Sequence, residues 1–253
     1  MYSDLYFKRQ VKIPTWVFLL VILTSFFLLS KVFTNSSTPS KAAKKKLRDF
    51  RLVNVAANRA GVYWQTESQE TGWLLVGESV SSLTQVVNDE RDLSDKKGKY
   101  YHHYALIKDL QPGKDYFFQI LSNNGVYANN NQAYSVHTPK NVQFTGTIKP
   151  AYGKVLLPNN IPAENAFVFL TYGEGSYPLL TLSKSSGEWL IPLNGIIDKQ
   201  TGKNLIPQEK EELKIMIISE ENYQTEIKAL TANLSPLPQT VVLGKDYVFL
   251  NSE

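Results

Sequence analysis

His102 and His103 stand side by side in GKYYHHYALIKDLQPGKDYFFQI, residues 98–120, and are two of the three histidines in the chain. A pair of imidazoles is the residue type that holds a metal or moves a proton near neutral pH. The segment YYHHYALI is dense in aromatic residues, lacks helical spacing and reads as a strand, where neighbouring side chains point to opposite faces. Two imidazoles so placed cannot easily grip one ion. The expectation is that one faces a core or its edge and the other faces solvent, each as a filler beside Tyr100, Tyr101 and Tyr104. His137, beside Thr138, carries the same structural expectation.

Other candidate chemistry is equally thin. NDERDLSD, residues 88–95, gathers Asp89, Glu90, Asp92 and Asp95. It lacks the regular ligand spacing and turn glycine of a calcium loop, and Arg91 interrupts it, so a solvated loop is expected. In TYGEGSYP, residues 171–178, Ser176 lies near glycines but not in a nucleophile elbow, and no histidine follows His137 to act as its base. Tyr172 and Tyr177 have the chemistry of a sugar-stacking surface, though ordinary loop aromatics are the simpler reading. A hydrolase would need a nucleophile and a base that the chain hardly offers. No catalytic, cofactor-binding or metal-ligating residue is assigned, and no cofactor is expected.

What positions these residues is a chain of 253 residues, 43% hydrophobic and 20% charged, an ordinary globular composition. With no cysteine, disulfides, thiolate metal sites and a cysteine nucleophile are all excluded. The net charge of +4 is unevenly divided. Residues 1–49 hold nine basic and two acidic groups, a balance of +7, while residues 50–253 hold eighteen basic and twenty-one acidic groups, a balance of −3. The globular part therefore has no basic footprint for nucleic acid, and no nucleic-acid partner is expected.

Between Lys12 and Lys31 lies IPTWVFLLVILTSFFLLS, uncharged and mostly apolar. As a helix its eighteen residues rise about 27 Å, and with Val32 and Phe33 they cross a ~30 Å hydrocarbon core. Trp16 sits near one end, where indole prefers the interface. A cleaved signal peptide would have a shorter apolar run followed at once by a small-x-small site, and the nearest such triplets, in SKAA at 40–43, come later. A type IV pilin start lacks its glycine and glutamate here. The expectation is an uncleaved transmembrane helix over residues 13–33 whose partner is the lipid bilayer.

Lys8, Arg9 and Lys12 favour a cytoplasmic tail over residues 1–12, although Lys31, Lys41, Lys44, Lys45 and Lys46 pull the other way. Residues 34–47 read as a polar tether whose lysines could touch anionic lipid. Asn35 and Asn233 head glycosylation-type triplets, a short and common match.

Over residues 48–139 strand-like runs recur: FRLVNVA, AGVYWQT, GWLLVGE, SLTQVVN, YYHHYALI, YFFQILS and QAYSVHT. Seven short strands between Gly, Asn, Asp and Pro turns is the pattern of a β-sandwich. Pro112 and Gly113 set a sharp corner, after which the Tyr116 hydroxyl can reach back to the upstream backbone as a tyrosine corner. Leu110-x-Pro112-Gly113-x-x-Tyr116, with Trp64 on an early strand and Thr138-Pro139 at the exit, resembles the fibronectin type III family. Within it the segment is most similar to the N-terminal β-sandwich of purple acid phosphatases, where a Tyr-x-His-His-like strand precedes the corner. The metal motifs of those enzymes belong to a separate domain and do not occur in this chain, so the resemblance implies fold without activity.

Over residues 142–253 a second series follows: VQFTGTI, GKVLL, NAFVFLTY, LLTLSKS, GEWLIPL, LKIMIIS, YQTEIKAL and QTVVLG. Gly146, then Ala163 to Val168, then the Ser186-Gly187 turn leading to Trp189, resembles the transthyretin-like or carboxypeptidase-regulatory β-sandwiches. The short linker suggests a semi-rigid pair. Residues 195–213 form an insert, either a functional lip or a variable connection. Some modules of this kind cross-link a lysine to an asparagine, but the sequence offers no way to pair them.

The reading is therefore an all-β protein: two tandem β-sandwiches, fibronectin type III-like and then transthyretin-like, after one N-terminal transmembrane helix. Its expected role is that of a non-catalytic, single-pass cell-membrane protein whose β-domains lie outside the cytoplasm and act as a spacer, adhesion or interaction unit toward a surface protein or glycan. The alternative is a carbohydrate- or phosphoester-recognising accessory of a surface enzyme.

Overall fold

A computed structural model describes residues 46–93, 96–127, 132–140 and 148–251. The membrane-helix, tail and most of the tether expected for residues 1–45 lie outside the described residues, as does most of VQFTGTI. Among the described residues no helix is long and apolar enough to cross a membrane.

The described chain is built from strands. The first series comprises β1 (Asp49–Ala56), β2 (Arg59–Glu70), β3 (Gly72–Gly77), β4 (Gln85–Asn88), β5 (Tyr100–Ile107), β6 (Asp115–Ser122), β7 (Gly125–Tyr127) and β8 (Tyr134–His137). They form one sheet in the order β1-β2-β5 and a second in the order β4-β3-β6, whose far edge is shared by β7 and β8. Val62, Trp64, Leu74, Val76, Ile107, Phe118 and Ile120 fill the space between the two sheets and are essentially inaccessible to solvent. The alternation of burial along β3 and β6 is that of sheets with one face on a core.

The tyrosine corner forms as expected. Gly113 takes φ +69°, and the backbone N–H of Gln111 donates to the Tyr116 hydroxyl at 2.9 Å. Thr138 locks the exit, its hydroxyl donating to the Gln111 carbonyl at 2.7 Å.

The second series comprises β9 (Ala151–Leu156), β10 (Phe167–Thr171), β11 (Leu179–Leu182), β12 (Glu188–Ile191), β13 (Glu212–Ile218), β14 (Gln224–Leu230), β15 (Val241–Val242) and β16 (Tyr247–Phe249). Five of them pair in the order β11-β10-β13-β14-β16 and three in the order β12-β9-β15. Val155, Val168, Leu170, Trp189, Ile215, Ile217 and Ile227 pack between these two sheets.

A third apolar cluster joins the two series. Val53, Tyr63 and Tyr104, on the outer face of β1-β2-β5, meet Phe167, Phe169, Leu180 and Ile218, on the outer face of β11-β10-β13. The result is four stacked sheets within the compact unit formed by residues 43–253. β2 and β10 lie in the middle layers and are buried on both faces, with Ala60 to Trp64 and Phe167 to Leu170 continuously buried.

Candidate functional site

Of the candidate residues, His102 lies at the seam between β5 and the second sandwich, with Asp89 and Arg91 beside it. His102 and His103 do point to opposite faces, but neither meets solvent: they are 1% and 0% exposed. The expectation of one solvent-facing histidine fails because the outer face of β5 is covered by β10 and the turn after β13.

His102 lies on that outer face. Its Nε2 is 2.9 Å from Asn222 Oδ1 and its Nδ1 2.7 Å from the Tyr63 hydroxyl. An amide oxygen can only accept, so Nε2 carries the proton and Nδ1 accepts from Tyr63. Both ring nitrogens are used by the neutral form, and burial lowers the pKa against the smaller raising effect of Asn222. Burial likewise raises the Tyr63 hydroxyl far above its ordinary value.

His103 faces the first core. It stacks on Trp64 with centroids 4.8 Å apart and planes 8° from parallel. Neither ring nitrogen has a hydrogen-bond partner; Nδ1 approaches Asp89 Oδ2 at 3.4 Å, an electrostatic contact too long to satisfy the ring.

Within NDERDLSD, Asp89 and Arg91 depart from the solvated loop expected for them, Asn88, Glu90 and Leu93 are exposed, and Ser94 and Asp95 lie outside the described residues. Asp89 is 2% exposed and receives Arg91 through Nε at 2.9 Å and Nη2 at 3.1 Å, and the backbone N–H of Tyr104 at 3.1 Å. Burial alone would raise its pKa, but the contacts from His103 and Arg91 outweigh burial and hold it at about 2. Arg91, the residue that interrupts a calcium pattern, is the centre of the arrangement. It reaches Glu220 of the second sandwich at 3.0 Å, donates to the His102 carbonyl, and lies 3.7 Å above the Tyr100 ring and 5.0 Å from that of Phe167. Glu220 also accepts the Tyr101 backbone N–H at 2.5 Å. Asp92 and the other described carboxylates bring no third ligand, and among the described residues no group of three or more His, Asp or Glu could hold a metal.

The other end of the seam is closed by Asn54. A register break in β1 puts Asn54 in the left-handed region at φ 51°, which asparagine tolerates. Its amide then pairs with Leu180 in both directions, accepting from the N–H at 2.9 Å and donating to the carbonyl at 2.8 Å, and it also donates to the Tyr104 hydroxyl at 2.8 Å. Arg51 lies 4.7 Å from the Phe169 ring. Desolvated aromatic centres rimmed by satisfied polar groups are the anatomy of a stable protein interface.

The remaining candidates have structural work. His137 pairs with Asp115 at 2.8 Å on an exposed edge. Ser176 is buried and accepts the Tyr172 N–H at 3.2 Å. The Tyr172 hydroxyl donates to Glu211 at 2.7 Å, and that bond, with burial, raises its pKa to about 12. The Asn233 amide donates to the carbonyls of Phe249 and Asn251, so it is committed to the end of the second sandwich. No lysine among the described residues is buried, and a lysine–asparagine cross-link finds no desolvated amine there.

Asn54, Arg91, Glu220 and Asn222 are the residues that sequence reasoning missed. The available signal was the unbroken apolar runs AGVYW, AFVFL and IMII, which mark strands buried on both faces and hence a covered outer surface.

Residues 49–138 match the family model described as the purple acid phosphatase N-terminal domain. The match covers that N-terminal domain alone. No curated protein matches the chain. Among solved structures the chain is similar, at 13% identity, to the chicken CNTN1 FN1-FN3 domains, covering 80% of this chain and 67% of that one with a TM-score of 0.26. It is similar at 13% identity to the central fibronectin-III array of RIM-binding protein (72% and 61% covered, TM-score 0.25). It is similar at 9% identity to the pullulanase from Anoxybacillus sp. LM18-11 (70% and 25% covered, TM-score 0.20). At such TM-scores these alignments carry no argument about how the chain is assembled. The family match, the sheet arrangement and the tyrosine corner together make the first sandwich fibronectin III-like.

Proposed function

We propose that the chain is a non-catalytic surface protein whose two sandwiches, the second transthyretin-like, act as one stiff arm that spaces or presents a binding surface. The observation that carries the reading is the seam. Fibronectin III-like modules commonly serve as spacers or interaction units, and a linker alone leaves such modules free to swing. Here an aromatic centre and hydrogen bonds at both ends, through Asn54 and through Arg91 with Glu220, oppose that swing. The polar groups at the seam are engaged with one another, as in an interface, rather than directed at a reacting atom.

In this reading residues 13–33 anchor the arm in the cell membrane, residues 1–12 remain in the cytoplasm and the sandwiches lie outside. The apolar run between Lys12 and Lys31 and the basic residues before it support that arrangement. The test is extraction of membranes carrying the full-length chain with alkaline carbonate, together with protease treatment of intact cells. The chain is expected to stay in the pellet and to lose the part beyond residue 43 to external protease. Release into the supernatant, or full protection in intact cells that disappears on lysis, would contradict it.

A further inference from the structure

The insert at 195–213 encloses one side of a cleft of about 600 Å³ where it meets the exit of the first sandwich. Lys199 and Lys203 contribute from the insert and Lys140 from the connection between sandwiches, with Tyr177 and Ile197 beside them. We propose that this cleft binds an acidic saccharide, a sugar ring bearing a carboxylate, sulfate or phosphate.

Three observations argue for this. First, the cleft is built, because the insert is tied down at several points. Tyr177 N–H donates to the Ile197 carbonyl at 2.9 Å, Lys199 N–H to the Gly175 carbonyl at 2.8 Å, and Leu205 N–H to the Ile196 carbonyl at 2.8 Å. Ile196 and Ile197 are buried beneath it. Second, the charge is unbalanced. Among the described residues none of Lys140, Lys199 and Lys203 has a carboxylate partner, although lysines elsewhere on the surface, such as Lys114 and Lys214, do. The cleft's acidic residue, Asp198, is engaged by its own turn: one oxygen accepts from Gln200 N–H at 3.1 Å, Thr201 N–H at 2.7 Å and the Thr201 hydroxyl at 2.8 Å. These bonds lower its pKa and keep it ionised, so the positive balance of the cleft comes from three lysines set against this one carboxylate.

Third, the lining suits a hydroxylated ring better than a bare ion. The described lining has no arginine fork and no array of buried N–H groups to strip water from a small anion, only ammonium point charges, of which Lys199 Nζ already donates to the Glu174 carbonyl at 3.2 Å. The half-buried Tyr177 ring offers an apolar face, while the exposed Gln200 side chain offers an amide to hydroxyls. The volume falls within the range of small-molecule sites.

The test is calorimetric titration of the full-length chain with a glucuronate-containing disaccharide, its neutral glucose counterpart and inorganic phosphate. The acidic disaccharide is expected to saturate one site and to weaken as salt is raised. Lys199→Ala with Lys203→Ala, both exposed, should reduce its affinity about tenfold, while Lys214→Ala with Lys228→Ala leaves it unchanged. Equal binding of the neutral sugar, full competition by equimolar phosphate, equal losses in the two variants or no saturable heat would each overturn the proposal.

Discussion

His102 and His103 are adjacent in the chain and occupy two different interiors. His103 belongs to the core of the first sandwich, where shape is matched by stacking on Trp64 and a buried ring goes without hydrogen bonds. His102 belongs to the seam, where both ring nitrogens have partners and one of them comes from the other sandwich. Leaving that ring unpaired in a low-dielectric core is costly, and its stacking on Trp64 offsets part of the cost. A seam is thinner, and polar satisfaction decides its register. The two regions should therefore fail differently when broken.

Trp64→Ala removes the largest fully buried side chain of the first core and should cost about 3–5 kcal/mol. The expected readout in urea is one cooperative unfolding step moved to much lower denaturant. Arg91→Ala should cost about 3 kcal/mol, because it leaves Asp89 buried and uncompensated. Its signature differs from that of the core variant: the single transition should split in two as the sandwiches uncouple.

Acid should act on the seam next. Asp89 titrates at about 2 in the folded protein against ~3.9 unfolded, so its contribution of roughly 2–3 kcal/mol is present above pH ~4 and lost as the pH falls toward 2. His102 has a lowered pKa, so the unfolded chain takes up a proton first and stability starts to fall below pH ~6.5. Denaturant midpoints followed from pH 8 to 2 should decline in these two stages, and His102→Gln should flatten the first alone.

Tyr116→Phe, which deletes only the hydroxyl that accepts from Gln111, should cost about 1 kcal/mol with the transition still single. At the small end, His137→Ala breaks a pair whose side chains are 59% and 67% exposed and should leave the urea midpoint almost unmoved.

The same contrast explains what could be read in advance. The strands YYHHYALI, YFFQILS and LKIMIIS lie within a residue of β5, β6 and β13, because period and turn chemistry are local properties. The corner at Gly113 and Tyr116 was legible for the same reason. The short β7 and β16 carry too few residues to show a period. The seam was illegible because it joins residues far apart in sequence: Asn54 to Leu180, Arg91 to Glu220 and His102 to Asn222. Asp89 and Arg91, two apart in a charged stretch, look like solvated loop residues until a second sandwich covers them.

The stiffness of the arm is open to direct measurement, since the chain has no cysteine of its own. Spin labels at Ser81→Cys in the first sandwich and Lys210→Cys in the second, both exposed, would report the distance between them by pulsed electron resonance. The seam predicts a single narrow distance distribution that broadens on Arg91→Ala with Asn54→Ala. A broad or multiple distribution in the otherwise unaltered protein would contradict it.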